Sequence, residues 1–112
     1  MSDFSAIREP SLRLIIEVAA DEFGVTRRDI VSERRDAATV QARHLAMYIA
    51  TEMTALSATA IGASMGERSP QTVFLAVNRL RARMASRDEF KQRVLMVMDN
   101  LMRPAPFDVV AA

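Results

Sequence analysis

The 112-residue sequence predicts an all-α fold of about six helices. Three observations carry this expectation. Apolar residues recur at three- and four-residue spacing along most of the chain, the period of one helix face. Helix-opening and helix-closing residues, among them Gly24, Ser57, Ser69-Pro70 and Ser86, punctuate that pattern. No stretch alternates apolar and polar residues as a half-buried strand does. Half of the residues are apolar and 26% are charged, the balance of one compact domain with a real core.

The first stripe is Leu12, Ile15, Ile16, Ala19, Ala20 and Phe23, and Gly24 closes that helix. Thr26 with Asp29 three residues on resembles a capping box, opening a short helix that holds Ile30 and Val31. The polar interval ERRDAAT separates it from the longest helix, expected over about residues 39–55. Its stripe is Ala42, Leu45, Ala46, Ile49, Met53 and Leu56. Ser57 is placed to cap the next short helix, which runs over about Ala58–Met65 and ends near Gly66. Ser69 caps the following one, and Pro70 takes its first position, where no amide is needed. Val73, Val77, Leu80 and Met84 form its inner stripe. Ser86 and Glu89 read as a second capping box, opening a last helix with the stripe Phe90, Val94, Val97, Met98 and Leu101. The expected organisation is an N-terminal arm over 1–10, a helical domain over 11–102 and an irregular tail over 103–112, where Pro104 and Pro106 break any helix. Eight methionines read as core filler.

Composition excludes several chemistries. The chain has no cysteine and one histidine, His44, so neither a disulfide framework nor a common zinc site is expected. Its glycines are Gly24, Gly62 and Gly66, and no GxxxxGK[ST] run occurs, so no nucleotide-cradling loop is expected. Asp21-Glu22 and Asp88-Glu89 are adjacent acids, which point to different sides of a helix and read as helix-end solvation. The expectation is a non-enzyme with no cofactor, no metal and no nucleotide. The start MSDFSAIREP lacks the pattern of a signal peptide, and no apolar run reaches the roughly 18 residues of a membrane span. A cytoplasmic protein without membrane contact is the expectation.

The net charge is only +1, but it is unevenly placed. Residues 26–43 carry five arginines against three acids and residues 44–87 five against two, while residues 1–25 carry two against five. A basic middle between acidic flanks points to a polyanionic partner. Fourteen of the fifteen basic residues are Arg, whose planar fork suits phosphate and guanine, although genomic base composition yields the same bias.

Residues 58–85 have the size and order of a helix-turn-helix, with Gly66-Glu67-Arg68-Ser69 as the tight connection. In such a motif the start of the second helix meets base edges. The outer face of that helix holds Gln71, Leu75, Asn78, Arg79 and Arg83. Gln71 is placed to pair with an adenine edge, and Arg68, Arg79 and Arg83 to clamp phosphates. Periodicity alone fits a groove-binding pair and half of a plain helical bundle equally.

A further set of marks stands in order: Val25…Asp29-Ile30-Val31-Ser32…Arg34-Arg35, then Arg43…Ala46-Met47-Tyr48-Ile49-Ala50, then Leu56-Ser57…Ile61-Gly62…Gly66-Glu67-Arg68…Thr72-Val73. Through them the chain resembles the C-terminal DNA-binding domain, domain IV, of the bacterial replication initiator DnaA, over about residues 12–101. The resemblance implies a Trp-repressor-like helical domain whose helix-turn-helix enters the major groove of a nine-base-pair DnaA box. It implies a basic loop that reaches the adjacent minor groove. By position, Arg34, Arg35 and Arg43 become backbone and minor-groove candidates, Arg68 matches the family arginine at the turn and Arg79 a basic position on the recognition helix. Ser69, Pro70, Gln71 and Thr72 become the base-reading candidates.

The departures bear on specificity. The family's turn and helix start typically run Phe-Gly-Gly-Arg-Asp-His-Thr-Thr-Val, and Ser69-Pro70-Gln71 stand where it has Asp-His-Thr. Pro70 has no donor to offer, and Ala37 falls where the family usually has an arginine. Each good bidentate pairing contributes roughly 1–3 kcal/mol of discrimination, so losing two or three readers is enough to erase a box preference while the phosphate clamp survives, and the expectation is a DNA binder whose sequence preference is altered or weakened. The initiator's ATPase domain does not lie within these residues, and the expectation is the reading domain as a separate small protein. The expected function is specific or semi-specific binding of double-stranded DNA in regulating replication initiation or transcription, with a protein of that machinery as a further partner. The competing expectation is a protein-interaction module that kept the fold and lost the reading of the box.

Overall fold

The computed structural model describes residues 9–103. Residues 1–8 of the expected arm, and the expected tail from 104 onward with Phe107, Val109 and Val110, lie outside the described residues. Six helices follow one another: α1 (Leu12–Glu22), α2 (Arg27–Val31), α3 (Ala37–Met53), α4 (Ala58–Ser64), α5 (Pro70–Ser86) and α6 (Asp88–Met102). The described residues contain no strand, so the all-α expectation holds.

Side chains set most of the starts. Ser11, Ser57 and Ser69 each accept a hydrogen bond from the amide three residues ahead. Thr26 and Asp29 form the complete capping box. Asp36 opens α3 two residues before the expected start, because its carboxylate accepts from both the amide (3.2 Å) and the hydroxyl (2.9 Å) of Thr39. Those bonds hold its carboxyl below the usual carboxylate range, led by the one from the Thr39 side chain.

One expected start is corrected. Ser86 is the last residue of α5, and its hydroxyl donates back to the Arg83 carbonyl. Arg87 alone separates α5 from α6, so the Ser86–Glu89 capping box does not form. A serine whose backbone is still helical has its hydroxyl beside the preceding turn and away from the amides ahead. Asp88 and Glu89 instead favour the first turn of α6 through the helix dipole. The long helix also ends at Met53, leaving Leu56 outside it and 42% exposed.

The core runs along α3, which packs against α1, α2, α4 and α5, while α6 lies on α5. Ala42, Leu45, Ala46, Met47, Ile49 and Ala50 are all buried, so this helix is apolar on more than one face. Small alanines there let α1 and α5 approach closely, and Ile15, Ile30, Ile61 and Val73 fill the space around them. The expected stripe of α5, Val73, Val77, Leu80 and Met84, is buried with Ala76 added. The result for function is simple: α5 is fixed by one face to the core, and its opposite face is open.

Candidate nucleic-acid interface

Two segments meet at the start of α5. One is the loop between α2 and α3, residues 32–36, and the other is the turn between α4 and α5, residues 65–69. One arginine, Arg43 of α3, holds the loop from below, and a second, Arg68, ties the loop to the turn.

Arg43 is the deeper tie. It is 5% exposed. Its Nε donates to the Ile30 carbonyl at 2.8 Å, and its Nη2 lies 3.1–3.3 Å from the carbonyls of Asp29, Ser32 and Arg34. A guanidinium suits this because its donors form a planar fork that reaches several carbonyls at once. Burial, together with the charges of Arg68 and Arg35, lowers its pKa to about 10, so it stays cationic at neutral pH. The sequence expectation put Arg43 among the DNA-facing arginines. Its guanidinium is occupied inside the fold, where it shapes the loop.

Arg68 is the second tie. Its Nη2 donates to the Ser32 carbonyl at 2.8 Å and its Nη1 to the Met65 carbonyl. The Ser32 carbonyl therefore receives both arginines. Arg68 is half-buried, and one edge remains on the cleft. Burial lowers its pKa, with the Arg35 charge in the same direction and Glu33 opposing.

The turn itself depends on close backbone approach. The Arg68 amide donates to the Gly62 carbonyl at 2.8 Å. A Cβ on Gly62 would collide with the Arg68 carbonyl, and one on Gly66 with the Val31 carbonyl. Gly66 has φ 86° and Glu67 φ 60°, two left-handed residues in succession. Glu67 stands where the family carries its second glycine.

Beyond the turn, Ser69 is occupied as the cap: its Oγ accepts from the Thr72 amide (3.2 Å) and lies 3.1 Å from Thr72 Oγ1. Pro70 fills the first helical position. Gln71 and Thr72 are exposed, as are Phe74 (58%) and Leu75 (57%) one turn on. Phe74 was not among the outer-face residues read from the sequence. The signal was there, since position 74 lies off the 73–77–80–84 stripe, but an apolar residue reads as interior.

The remaining arginines divide by what holds them. Arg34 pairs with Asp36 (2.9 Å) and Asp29 (3.3 Å) and stays 58% exposed. Arg83 stacks over the Phe90 ring at 4.1 Å, which turns it toward α6. Arg35 and Arg79 are exposed and form no ion pair among the described residues. Arg35, Arg43, Arg68, Thr72 and His44 line one cleft of about 280 Å³ between the loop, α3 and the start of α5. His44 is half-buried there, and burial, with the Arg79 and Arg43 charges, lowers its pKa. Glu33 lines the cleft too, so three arginines against one acid leave a net cationic seam beside an uncharged helix start. Among the described residues, no group of three or more His, Cys, Asp or Glu is placed to hold a metal ion, and no helix is long and apolar enough to cross a membrane.

The bacterial DnaA protein helix-turn-helix family model matches residues 12–80. The chain is 32% identical to the chromosomal replication initiator protein DnaA of Lachnoclostridium phytofermentans over 86% of its own length and 21% of that protein. It is 40% identical to the same initiator of Corynebacterium jeikeium over 60% of this chain and 12% of that protein. With that of Mesoplasma florum it shares 36% identity over 75% of this chain and 19% of that protein. The chain spans about a fifth or less of the length of these curated relatives.

Proposed function

The chain belongs to the bacterial DnaA helix-turn-helix family, and from that premise we propose that it binds double-stranded DNA. The start of α5 enters the major groove, and the α2–α3 loop lies on the neighbouring backbone. One observation carries this reading: Arg68 bonds the loop to the turn through the Ser32 carbonyl. The arginine-bearing loop and the helix start thereby become one surface, with Arg35 and Thr72 on the same cleft.

Roles follow from what each side chain has left to give. Arg35 and Arg79 neutralise phosphates, helped by the outer edges of Arg34 and Arg68. Arg43 is a positioning residue that holds the loop. Arg83 contributes mainly through α6. Ser69 and Pro70 build the helix start with Thr72 bonded to the Ser69 hydroxyl, and reading falls to Gln71 and the exposed residues beyond. α5 carries three arginines and no acid, which fits a polyanion. The biological setting of this reading is the cytoplasmic nucleoid, in control of replication initiation or transcription, with no catalysis and no bound nucleotide. The domain that does this spans 11–102.

The test is fluorescence anisotropy with two labelled duplexes, one holding a DnaA box and one scrambled, across a salt series. Wild type binds both at low salt. Arg35→Ala/Arg79→Ala weakens binding to both and lowers the salt slope by about 1.8, two phosphates at ~0.9 each. A wild-type protein that binds neither duplex at low salt would sink the reading, and so would a double variant with unchanged slope.

A further inference from the structure

We propose that the outer face of α5 selects A·T pairs, Phe74 and Leu75 packing against thymine methyl groups while Gln71 and Asn78 pair with adenine edges. This rests on the DNA binding proposed above and deepens it. The hydroxyls of Ser69 and Thr72 face each other at 3.1 Å and serve the helix cap, and Pro70 has no donor. The first turn is therefore largely spent on its own construction.

The open arc is the next one. At 3.6 residues per turn, positions 71, 74, 75 and 78 share one side of α5, opposite the buried Val73, Ala76, Val77 and Leu80. Phe74 and Leu75, 58% and 57% exposed, flank the line from Gln71 to Asn78 on its two sides. Gln71 lies four residues before Leu75, and Asn78 four after Phe74. A carboxamide offers a donor and an acceptor together, which matches adenine N6 and N7. A guanidinium would select guanine and a carboxylate cytosine, and residues 70–78 contain neither. The thymine 5-methyl is the one apolar group on the major-groove edge, and the two apolar side chains are placed for it. A second copy of this chain is the less favoured occupant. A two-fold contact would set the same face against itself and bring together helices that carry arginines and no acid.

The experiment starts with selection from a random-sequence duplex library. The expected consensus holds A·T pairs with neighbouring thymines. Each thymine of the selected duplex is then replaced by deoxyuridine, which lacks only the 5-methyl. Wild type loses about fourfold in affinity per contacted methyl. Leu75→Ala and Phe74→Ala, both at open positions and checked for an unchanged melting temperature, bind the thymine duplex more weakly and lose the sensitivity to deoxyuridine. A G·C consensus, or equal affinity for thymine and uracil duplexes with salt-sensitive binding intact, overturns this inference alone. Failure to retain any duplex overturns the DNA-binding reading with it. Self-association in sedimentation that Leu75→Ala abolishes would assign the face to a second copy and overturn the inference.

Discussion

Replacing Arg43 by methionine tests whether this arginine builds the loop. Met keeps most of the length and apolar stem and removes every donor. The Ile30 carbonyl, bonded at 2.8 Å in a fully buried residue, accepts no other side-chain, turn or loop hydrogen bond among the described residues. Losing that charge-assisted bond and orphaning its acceptor costs about 2 kcal/mol. The Asp29 carbonyl keeps its bonds from the Ser32 amide and hydroxyl, the Ser32 carbonyl keeps Arg68, and the carbonyl of exposed Arg34 turns to water, so each loss costs only about 0.5 kcal/mol. Relief of the buried cation's desolvation offsets part of the sum, leaving about 2–3 kcal/mol. At 4–8 °C per kcal/mol for a domain of this size, the melting temperature falls by roughly 10–20 °C. Thermal unfolding followed by far-UV circular dichroism reads this directly. Arg43→Lys should recover little, because an ammonium cannot span the four carbonyls. A methionine variant melting within about 3 °C of wild type would refute the reasoning and return Arg43 to the DNA-facing set.

Three further outcomes follow from the same geometry. Glu67→Gly should stabilise the domain by about 1 kcal/mol, measured in urea, because φ 60° costs a non-glycine residue that much; it should also tighten DNA binding by removing an acid from the turn. Gly62→Ala should cost at least about 2 kcal/mol in the same assay, since the added Cβ meets the Arg68 carbonyl and the Arg68–Gly62 bond must give way. Stability should fall as pH drops from about 6.5, because burial first, then Arg79 and Arg43, lowers the His44 pKa below its unfolded value. The unfolded chain then takes up a proton that the folded chain resists. His44→Gln should flatten urea-derived stability over pH 5–7, a window set by the unfolded histidine value of ~6.5.

Local chemistry was the most legible part of the sequence. Thr26 with Asp29, Ser57, and Ser69 with Pro70 each mark a helix start by short-range bonds, and the structure has all three. Ser86 misled because α5 continues through it: its hydroxyl bonds back to the Arg83 carbonyl, and Arg87 alone separates the two helices. The face of a residue was legible too, but its chemical type obscured it. Position 43 shares a face with buried Met47 and Ala50, yet an arginine suggests the surface. Position 74 lies off the core stripe, yet a phenylalanine suggests the interior. What no local pattern encodes is which donors are already taken. Arg68 reaches the Ser32 carbonyl across 36 residues, and Arg83 stacks on Phe90 from the next helix. Those contacts separate arginines that build the surface from arginines left to bind.

The most direct measurement is an amide NMR titration of the isotopically labelled protein with a duplex that it binds. The account predicts shifts concentrated at residues 32–36 of the loop, at Gln71 through Asn78 with both side-chain carboxamides, and at Arg79. The groove between α1 and α6, lined by Leu14, Val18, Val97 and Leu101, should stay unchanged. Shifts centred on that groove, with the outer face of α5 silent, would contradict it.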